Sequence, residues 1–375
     1  MRIAILGAGP AGLYLSFLIK RRRPDIDVTV VEQNPANATF GFGVVFSDRA
    51  LEFLREDDEE TCAAILPHME SWTDMTIDQC GERIVIDGVG FAAIGRLQLL
   101  QLLQARARSA GVRPIYRHVV TSLDEFAGCD LVVGADGVNS LVRKSHAAGF
   151  GASVGYLANR FAWFGTSKSY DTLTQTFRHT PLGDFNAHHY RYAPGRSTFI
   201  VEVDELTFVR NGFEKLTDDE MRRICESVFT AALDGHPLIS NNSIWRRFPL
   251  VHNECWSVGN RVLIGDALHT AHFSIGSGTR LAMEDAIALD KALAAHGEDV
   301  PAALAAYEAA RRRVLEKLVA GATASAQWYE HFAEHMRLAP ADFAMSYITR
   351  SGRVDLERLR SLSPKFVAWY EEERG

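Results

Sequence analysis

A few short stretches of this sequence carry the residue types that chemistry needs. Gly7-Ala-Gly9-Pro-Ala11-Gly12 has the glycine spacing of a dinucleotide-binding turn. Gly7 permits the tight turn, Gly9 lets backbone approach a pyrophosphate, and Gly12 lets a helix pack on a strand. Glu32, about twenty positions further on, is placed to accept hydrogen bonds from both hydroxyls of a ribose. An acid there disfavours a 2′-phosphate, so the nucleotide is FAD or NAD rather than NADP. Asp136 sits in Gly-Ala-Asp136-Gly after a buried apolar run, and Asp266 in Ile-Gly-Asp266-Ala after another. Gly276-Ser277-Gly278-Thr279 then opens a helix, whose free N–H groups would stabilise the negative charge of a reduced flavin. Two histidines complete the set. His188 lies in an alternating run with Asn186, Tyr190 and Tyr192 on one face, and Ala187, His189 and Arg191 on the other. His272 immediately precedes the second glycine cluster. His188 is the first candidate for a proton acceptor, with His272 second, whereas His269 reads as structural.

These residues need scaffolding, and the hydrophobic periods supply it. Residues 2–7 and 27–32 read as buried strands around a helix that begins near Pro10, which is a βαβ unit. Residues 96–110 read as an amphipathic helix and 130–136 as a buried strand. Residues 158–167, 173–179, 185–192 and 198–203 read as antiparallel strands. Thr217-Asp-Asp-Glu220 is a capping box. Long helices follow from Gly276 and Pro301. The expected architecture is α/β: a Rossmann-like FAD-binding domain, an antiparallel-sheet substrate domain and a helical C-terminal tail. Its expected bounds are 1–156 and 256–300 for the FAD domain, 157–255 for the sheet and 301–375 for the tail. The aromatic group Phe161, Trp163 and Phe164 reads as core, and Arg311 to Arg313 as a solvated helix face.

The chain has 375 residues, 47% of them hydrophobic, enough for a sizeable core. Lys plus Arg total 40 against 47 for Asp plus Glu, a net charge of −7. That charge offers no footprint for bulk nucleic-acid binding. No apolar run approaches the roughly 20 residues of a membrane span. Five scattered cysteines without a C-x-x-C pair argue against zinc or a disulfide frame and for a reducing, cytoplasmic location.

Taken together, the glycine fingerprint, the Asp136 segment and the Gly265-Asp266 segment resemble the class A flavoprotein aromatic monooxygenases over essentially the whole chain. The resemblance implies an FAD enzyme that uses NADH or NADPH as a transient reductant and O2. Such an enzyme hydroxylates an aromatic ring through a flavin hydroperoxide. Gly7, Gly9, Ala11, Gly12 and Glu32 would hold the ADP part. Arg96 would meet the phosphates and ribityl chain, and Asp136 and Asp266 the rest of the cofactor. Gly276, Ser277, Gly278 and Thr279 would border the isoalloxazine. The usual Pro-x-x-Gly-Gln-Gly-x-Asn continuation is replaced by His272-Phe-Ser-Ile-Gly-Ser-Gly-Thr279, and the loop at 40–47 lacks the arginine of many relatives. Those two motifs, with Phe-Asn-Ala-His188-His-Tyr190, are similar to the salicylyl-CoA 5-hydroxylase and aminobenzoyl-CoA monooxygenase branch, and more loosely to the violacein-pathway hydroxylases. Salicylyl-CoA, converted to its 5-hydroxy product, is the first expected substrate, with Tyr190 and Arg191 as substrate contacts. Lys168, Arg178, Arg191, Arg246 and Arg247 are the available phosphate partners. A hydroxylase of a free aromatic or indole compound, and a flavoprotein reductase without oxygenation, stay open beside it.

Overall fold

The computed structural model describes residues 1–47 and 51–374. Its first layer is a six-stranded sheet in which Arg2–Leu6 lies parallel to both Asp27–Glu32 and Leu131–Gly134, with Arg261–Leu263 parallel to the latter. The back-to-back apolar residues of Arg2–Leu6 are buried on both faces, as a central parallel strand requires. Helix Pro10–Arg22 packs on this sheet and against helices Arg96–Ser109 and Gly278–His296. Pro10 stands in its first turn, where a missing N–H costs nothing, and three cations occupy its last turn, where they suit the dipole.

The second layer is an eight-stranded sheet. Ser153–Thr166, Arg196–Val203, Gly183–Ala193 and Leu173–Thr180 are antiparallel neighbours, close to the bounds expected from alternation. The sheet is nevertheless mixed. Leu173–Thr180 pairs in parallel with Met75–Gln79, which pairs with Glu82–Ile86. Both of those strands precede residue 157, so the sheet is not one contiguous insertion. Phe185, Ala187, Phe199 and Val201 point to one side and bury against the helices of residues 205–233. Asn186, His188 and Tyr190 point to the other.

That other side is roofed by the helical C-terminus. Helix Val300–Glu330 runs back across the molecule, and helices Phe332–His335, Pro340–Thr349 and Pro364–Glu372 seal strands Met75–Gln79 and Glu82–Ile86 through Phe332, Phe343, Tyr347 and Phe366. Glu330 accepts from the backbone N–H groups of Ala158 and Asn159 at 2.6 and 2.9 Å, which pins the end of the long helix to the sheet. Arg311 corrects an expectation. It is buried, and its guanidinium bridges Glu284 at 2.6 Å and Asp285 at 3.0 Å, because the long helix crosses helix Gly278–His296 at that point. No described helix is long and apolar enough to cross a membrane.

Candidate active site

The glycine turn opens on a cleft of about 350 Å³ lined by Gly7, Gly9, Glu32, Arg96 and Asp136. Each glycine has its own reason. A Cβ on Gly7, whose φ is +103°, would lie 2.2 Å from the Ala135 carbonyl oxygen, and one on Gly12 would lie 2.0 Å from that of Gly7. A Cβ on Gly9 would meet no protein atom within 4 Å. Gly7 and Gly12 therefore serve the fold, while the space beside Gly9 belongs to the cleft. Gly9 caps the helix without a side-chain bond, and no acid occupies the first turn, so the N-terminal field is uncompensated. Ala11 and Gly12 are buried beneath it.

Glu32 accepts from the Ala8 N–H at 2.9 Å and from the Asn34 N–H at 2.8 Å, which fixes its carboxylate at the cleft wall. Asp136 spends one oxygen on the Leu141 N–H at 2.6 Å and leaves the other buried and unpartnered. Burial raises its pKa against those hydrogen bonds. Arg143 donates to the Ala267 carbonyl at 2.7 Å and so ties the Asp136 loop to the Gly265-Asp266 segment. Asp266 is exposed yet closely surrounded by protein. Burial raises its pKa, opposed by His269 and Arg96. His269 is structural, as expected: its Nε2 lies 2.7 Å from Asp285, which also accepts from the Gly265 N–H. An open cradle, an uncompensated helix N-terminus, an orphaned Asp136 oxygen and a half-buried Arg96 at the cleft wall together fit FAD.

A second pocket, about 230 Å³, lies under the C-terminal helices, bordered by Val45, Gly276, Phe273, Gln175, His188 and Arg350. His188 pairs across the sheet with Gln175 and Ile200. Both its ring nitrogens are buried without a partner, as is Oε1 of Gln175. Burial first, and then the Arg350 charge, lower His188 to about 3, so the imidazole is neutral. Arg350 donates only to neutral groups: Ser325 Oγ at 2.9 Å and the carbonyls of Tyr347 and Ser274 at 2.7 and 2.9 Å. A cation with no carboxylate partner among the described residues thus faces the pocket. Gly276 has φ +60°, and a Cβ there would press within 3.0 Å of Val45. Helix Gly278–His296 begins beside it with Ser277, Gly278 and Thr279, again without a side-chain cap.

Other candidates fall elsewhere. Tyr190 is on the expected face, but its hydroxyl donates to the Gly43 carbonyl at 2.9 Å and anchors the 40–47 loop. Glycines at 41 and 43 let that loop lie on Trp163 and Tyr192, since a Cβ would come within 2.8 and 2.6 Å of those rings. Trp163 therefore faces the loop and Phe161 packs on Phe273 at 5.0 Å, while Phe164 alone of the three joins the core. Arg191 pairs with Glu70 at 2.9 Å, on the face away from His188. His272 lies behind Phe273, with its Nδ1 2.8 Å from Ser274 Oγ; it positions that turn and does not line the pocket. Lys168 and Arg178 are paired with Asp234 and Asp78, and neither they nor Arg246 and Arg247 line the pocket. Arg350 was not legible beforehand: its only sequence signal is a helix followed by Ser-Gly352.

These buried groups make stability depend on pH. His272, like His188, is lowered to about 3, by burial, His188 and Arg350. An unfolded histidine takes its proton near 6.5. Between about 6.5 and 3 the unfolded chain binds more protons, so stability falls on acidification, by roughly 1.4 kcal/mol per histidine per pH unit. Glu202 acts oppositely. Burial pushes it up to about 8 against the hydrogen bond from Asn159, so it is neutral when folded and ionises when unfolded above about 4.5. Its contribution falls as pH rises from about 4.5 to 8, but below about 6.5 the two histidines outweigh it, so net stability is expected to decline from about 6.5 to 8. Denaturant midpoints across this range should show both limbs. Glu202→Gln should remove much of the alkaline one, and an unchanged alkaline limb in that variant would refute the assignment.

The comparisons with known proteins agree with this geometry. A family model described as an FAD binding domain matches residues 95–322. A salicyloyl-CoA 5-hydroxylase of Streptomyces sp is 42% identical over 94% of this chain and 70% of its own. A 3-hydroxy-4-methyl-anthranilyl-[aryl-carrier protein] 5-monooxygenase of Streptosporangium sibiricum is 36% identical, covering 88% and 89%. The tetrameric form of 2-methyl-3-hydroxypyridine-5-carboxylic acid oxygenase superposes with a TM-score of 0.71 at 19% identity, over 93% and 95% of the two chains.

Proposed function

The chain belongs to the FAD-dependent aromatic monooxygenases, and within that family we propose that it hydroxylates the ring of an aromatic acyl thioester, salicylyl-CoA first, to the 5-hydroxy product. The reaction consumes NAD(P)H and O2. The observation that carries the substrate reading is that one pocket holds both a neutral His188 without a hydrogen-bond partner and an Arg350 without a carboxylate partner among the described residues. It is supported by the two relatives above, one named for salicyloyl-CoA and the other for an anthranilyl group on an aryl-carrier protein.

FAD, when bound, would supply the redox chemistry that couples NAD(P)H and O2 to ring hydroxylation. The rest falls to the chain. Gly9 and the N–H groups behind it would receive the pyrophosphate, Glu32 the ribose, and Arg96 with Asp266 the inner part of the cofactor. Ser277 to Thr279 would offer N–H groups where negative charge develops on the ring system. Val45, Phe273 and Tyr347 keep water from the reacting carbon. A histidine near 3 is too weak a base to carry a phenol's proton. His188 therefore accepts a hydrogen bond from the ring hydroxyl, while Arg350 stabilises the phenolate character that makes the ring electron-rich.

Product analysis with FAD, NADH and salicylyl-CoA tests this, with salicylate and tryptophan as controls. The expected outcome is NADH consumption and a hydroxylated thioester, both dependent on the thioester. Turnover of salicylate without binding of the thioester would overturn the substrate reading. Hydrogen peroxide alone, with every aromatic, would favour a reductase without oxygenation.

A further inference from the structure

The pocket that holds His188 has a second chemistry at its mouth. Arg353 and Arg358 line it, contributed by the turn after helix Pro340–Thr349 and by helix Leu356–Leu362. The arginines of the surrounding elements are almost all neutralised. Arg280 pairs with Glu284 at 2.7 Å, Arg360 with Glu371 at 2.8 Å and Arg374 with Asp342 at 3.2 Å. Arg353 and Arg358 have no carboxylate within bridging distance among the described residues, and neither guanidinium donates a hydrogen bond there. Partial burial, and then the nearby charges of Arg280 and Arg358, lower the pKa of Arg353, so the cations repel one another. Such crowding costs stability unless an anion relieves it.

Arg353 is also held in place. Its aliphatic stem lies across Gly321 of the long helix, where a Cβ would come within 3.2 Å of its Cδ. His188, Arg350 and this cationic pair therefore line one continuous pocket. Nothing in ring hydroxylation requires two further cations outside the aromatic slot. A thioester whose long flexible arm leaves the pocket and ends in phosphates does require them.

We propose that Arg353 and Arg358 form the binding site for the phosphates of the pantetheine arm of the substrate, so that the thioester's ring reaches His188 while its anionic end rests on the pocket mouth. The proposal rests on the thioester reading above and deepens it. It commits to a free coenzyme A thioester; a carrier protein would present the same arm with one phosphate, and the test separates the two.

Three thioesters of the same acyl group are compared with wild type, Arg353→Ala, Arg358→Ala and the double variant. They are the coenzyme A ester, the ester of a phosphopantetheinylated carrier protein, and the N-acetylcysteamine ester, which has no phosphate. For the coenzyme A ester, KM is expected to rise on the order of tenfold per arginine and more in the double variant, with kcat nearly constant. For the N-acetylcysteamine ester, KM should not change. The wild-type advantage of the coenzyme A ester should shrink with salt. Equal effects on the phosphate-bearing and phosphate-free esters, or none on either, would overturn the site, and so would a preference for the carrier-bound ester.

Binding of free coenzyme A, followed by calorimetry, keeps the two readings apart. Arginine-dependent binding without turnover of any thioester would leave the anion site standing and remove the substrate reading. Turnover of thioesters with unaltered kinetics in the arginine variants would do the reverse. Each variant is checked for bound flavin and melting temperature, and Arg353→Lys should recover part of the loss that Arg353→Ala causes.

Discussion

A Gly9→Asp variant is expected to fold as well as the parent and to purify without colour. Gly9 has φ −76° and ψ −175°, an extended conformation open to any residue, and its missing Cβ faces empty space. Aspartate is moreover a favoured helix cap, worth roughly 1 kcal/mol, so the apoprotein should melt no lower than the parent apoprotein. The same carboxylate would stand where the cofactor's pyrophosphate must lie and would quench the helix N-terminal field. FAD affinity is expected to fall on the order of a hundredfold or more. Gly12→Ala makes the contrast. Its Cβ would sit 2.0 Å from the Gly7 carbonyl oxygen and 3.2 Å from Ile5, so the helix must lift off the strand. That variant should lose flavin and stability together, by about 2–4 kcal/mol. Flavin absorbance per protein and apoprotein melting curves decide the matter. A yellow Gly9→Asp protein of parental affinity would refute the placement of the pyrophosphate.

Removal of His188 should have the largest effect on product. His188→Ala is expected to lower hydroxylated product on the order of a hundredfold, the low end of general acid–base effects, because a histidine held near 3 orients and polarises more than it abstracts. Flavin content should be unchanged, since His188 does not line the nucleotide cleft. NADH should still be oxidised, with hydrogen peroxide replacing product. His188→Gln, a neutral acceptor of similar reach, should restore part of the product. A role limited to packing predicts something different: lower stability in both variants and the same ratio of product to NADH consumed. Parental product formation by His188→Ala would end the assignment.

The parts legible in the sequence share a physical property: they act through neighbours along the chain or through strict periodicity. Gly7, Gly9 and Gly12 are read from turn geometry, Glu32 from the distance to the next strand end, and the face of His188 from the two-residue period of a strand. The signals failed where charge and long-range packing decide. Arg178 and Arg191 look as free in the sequence as Arg353 and Arg358, yet the first two meet Asp78 and Glu70 across strands. Arg311 looks like one of three solvated cations and is instead the buried partner of Glu284 and Asp285. The strands Met75–Gln79 and Glu82–Ile86 are separated from their sheet by more than one other element, so no local period assigns them to it.

The sequence by itself determined the cofactor class and the order of the elements that hold it, because both depend on backbone conformation over a few residues. Only the tertiary structure decided which residues share the pocket proposed for the substrate and which cations there lack a carboxylate partner among the described residues. Packing of the C-terminal helices over the second sheet places Arg350, Arg353 and Arg358 in one pocket with His188, while pairing between strands takes Arg178 and Arg191 into salt bridges. Whether a cation is free to meet a ligand is a property of its neighbours in space, and those neighbours are set by burial across the whole chain.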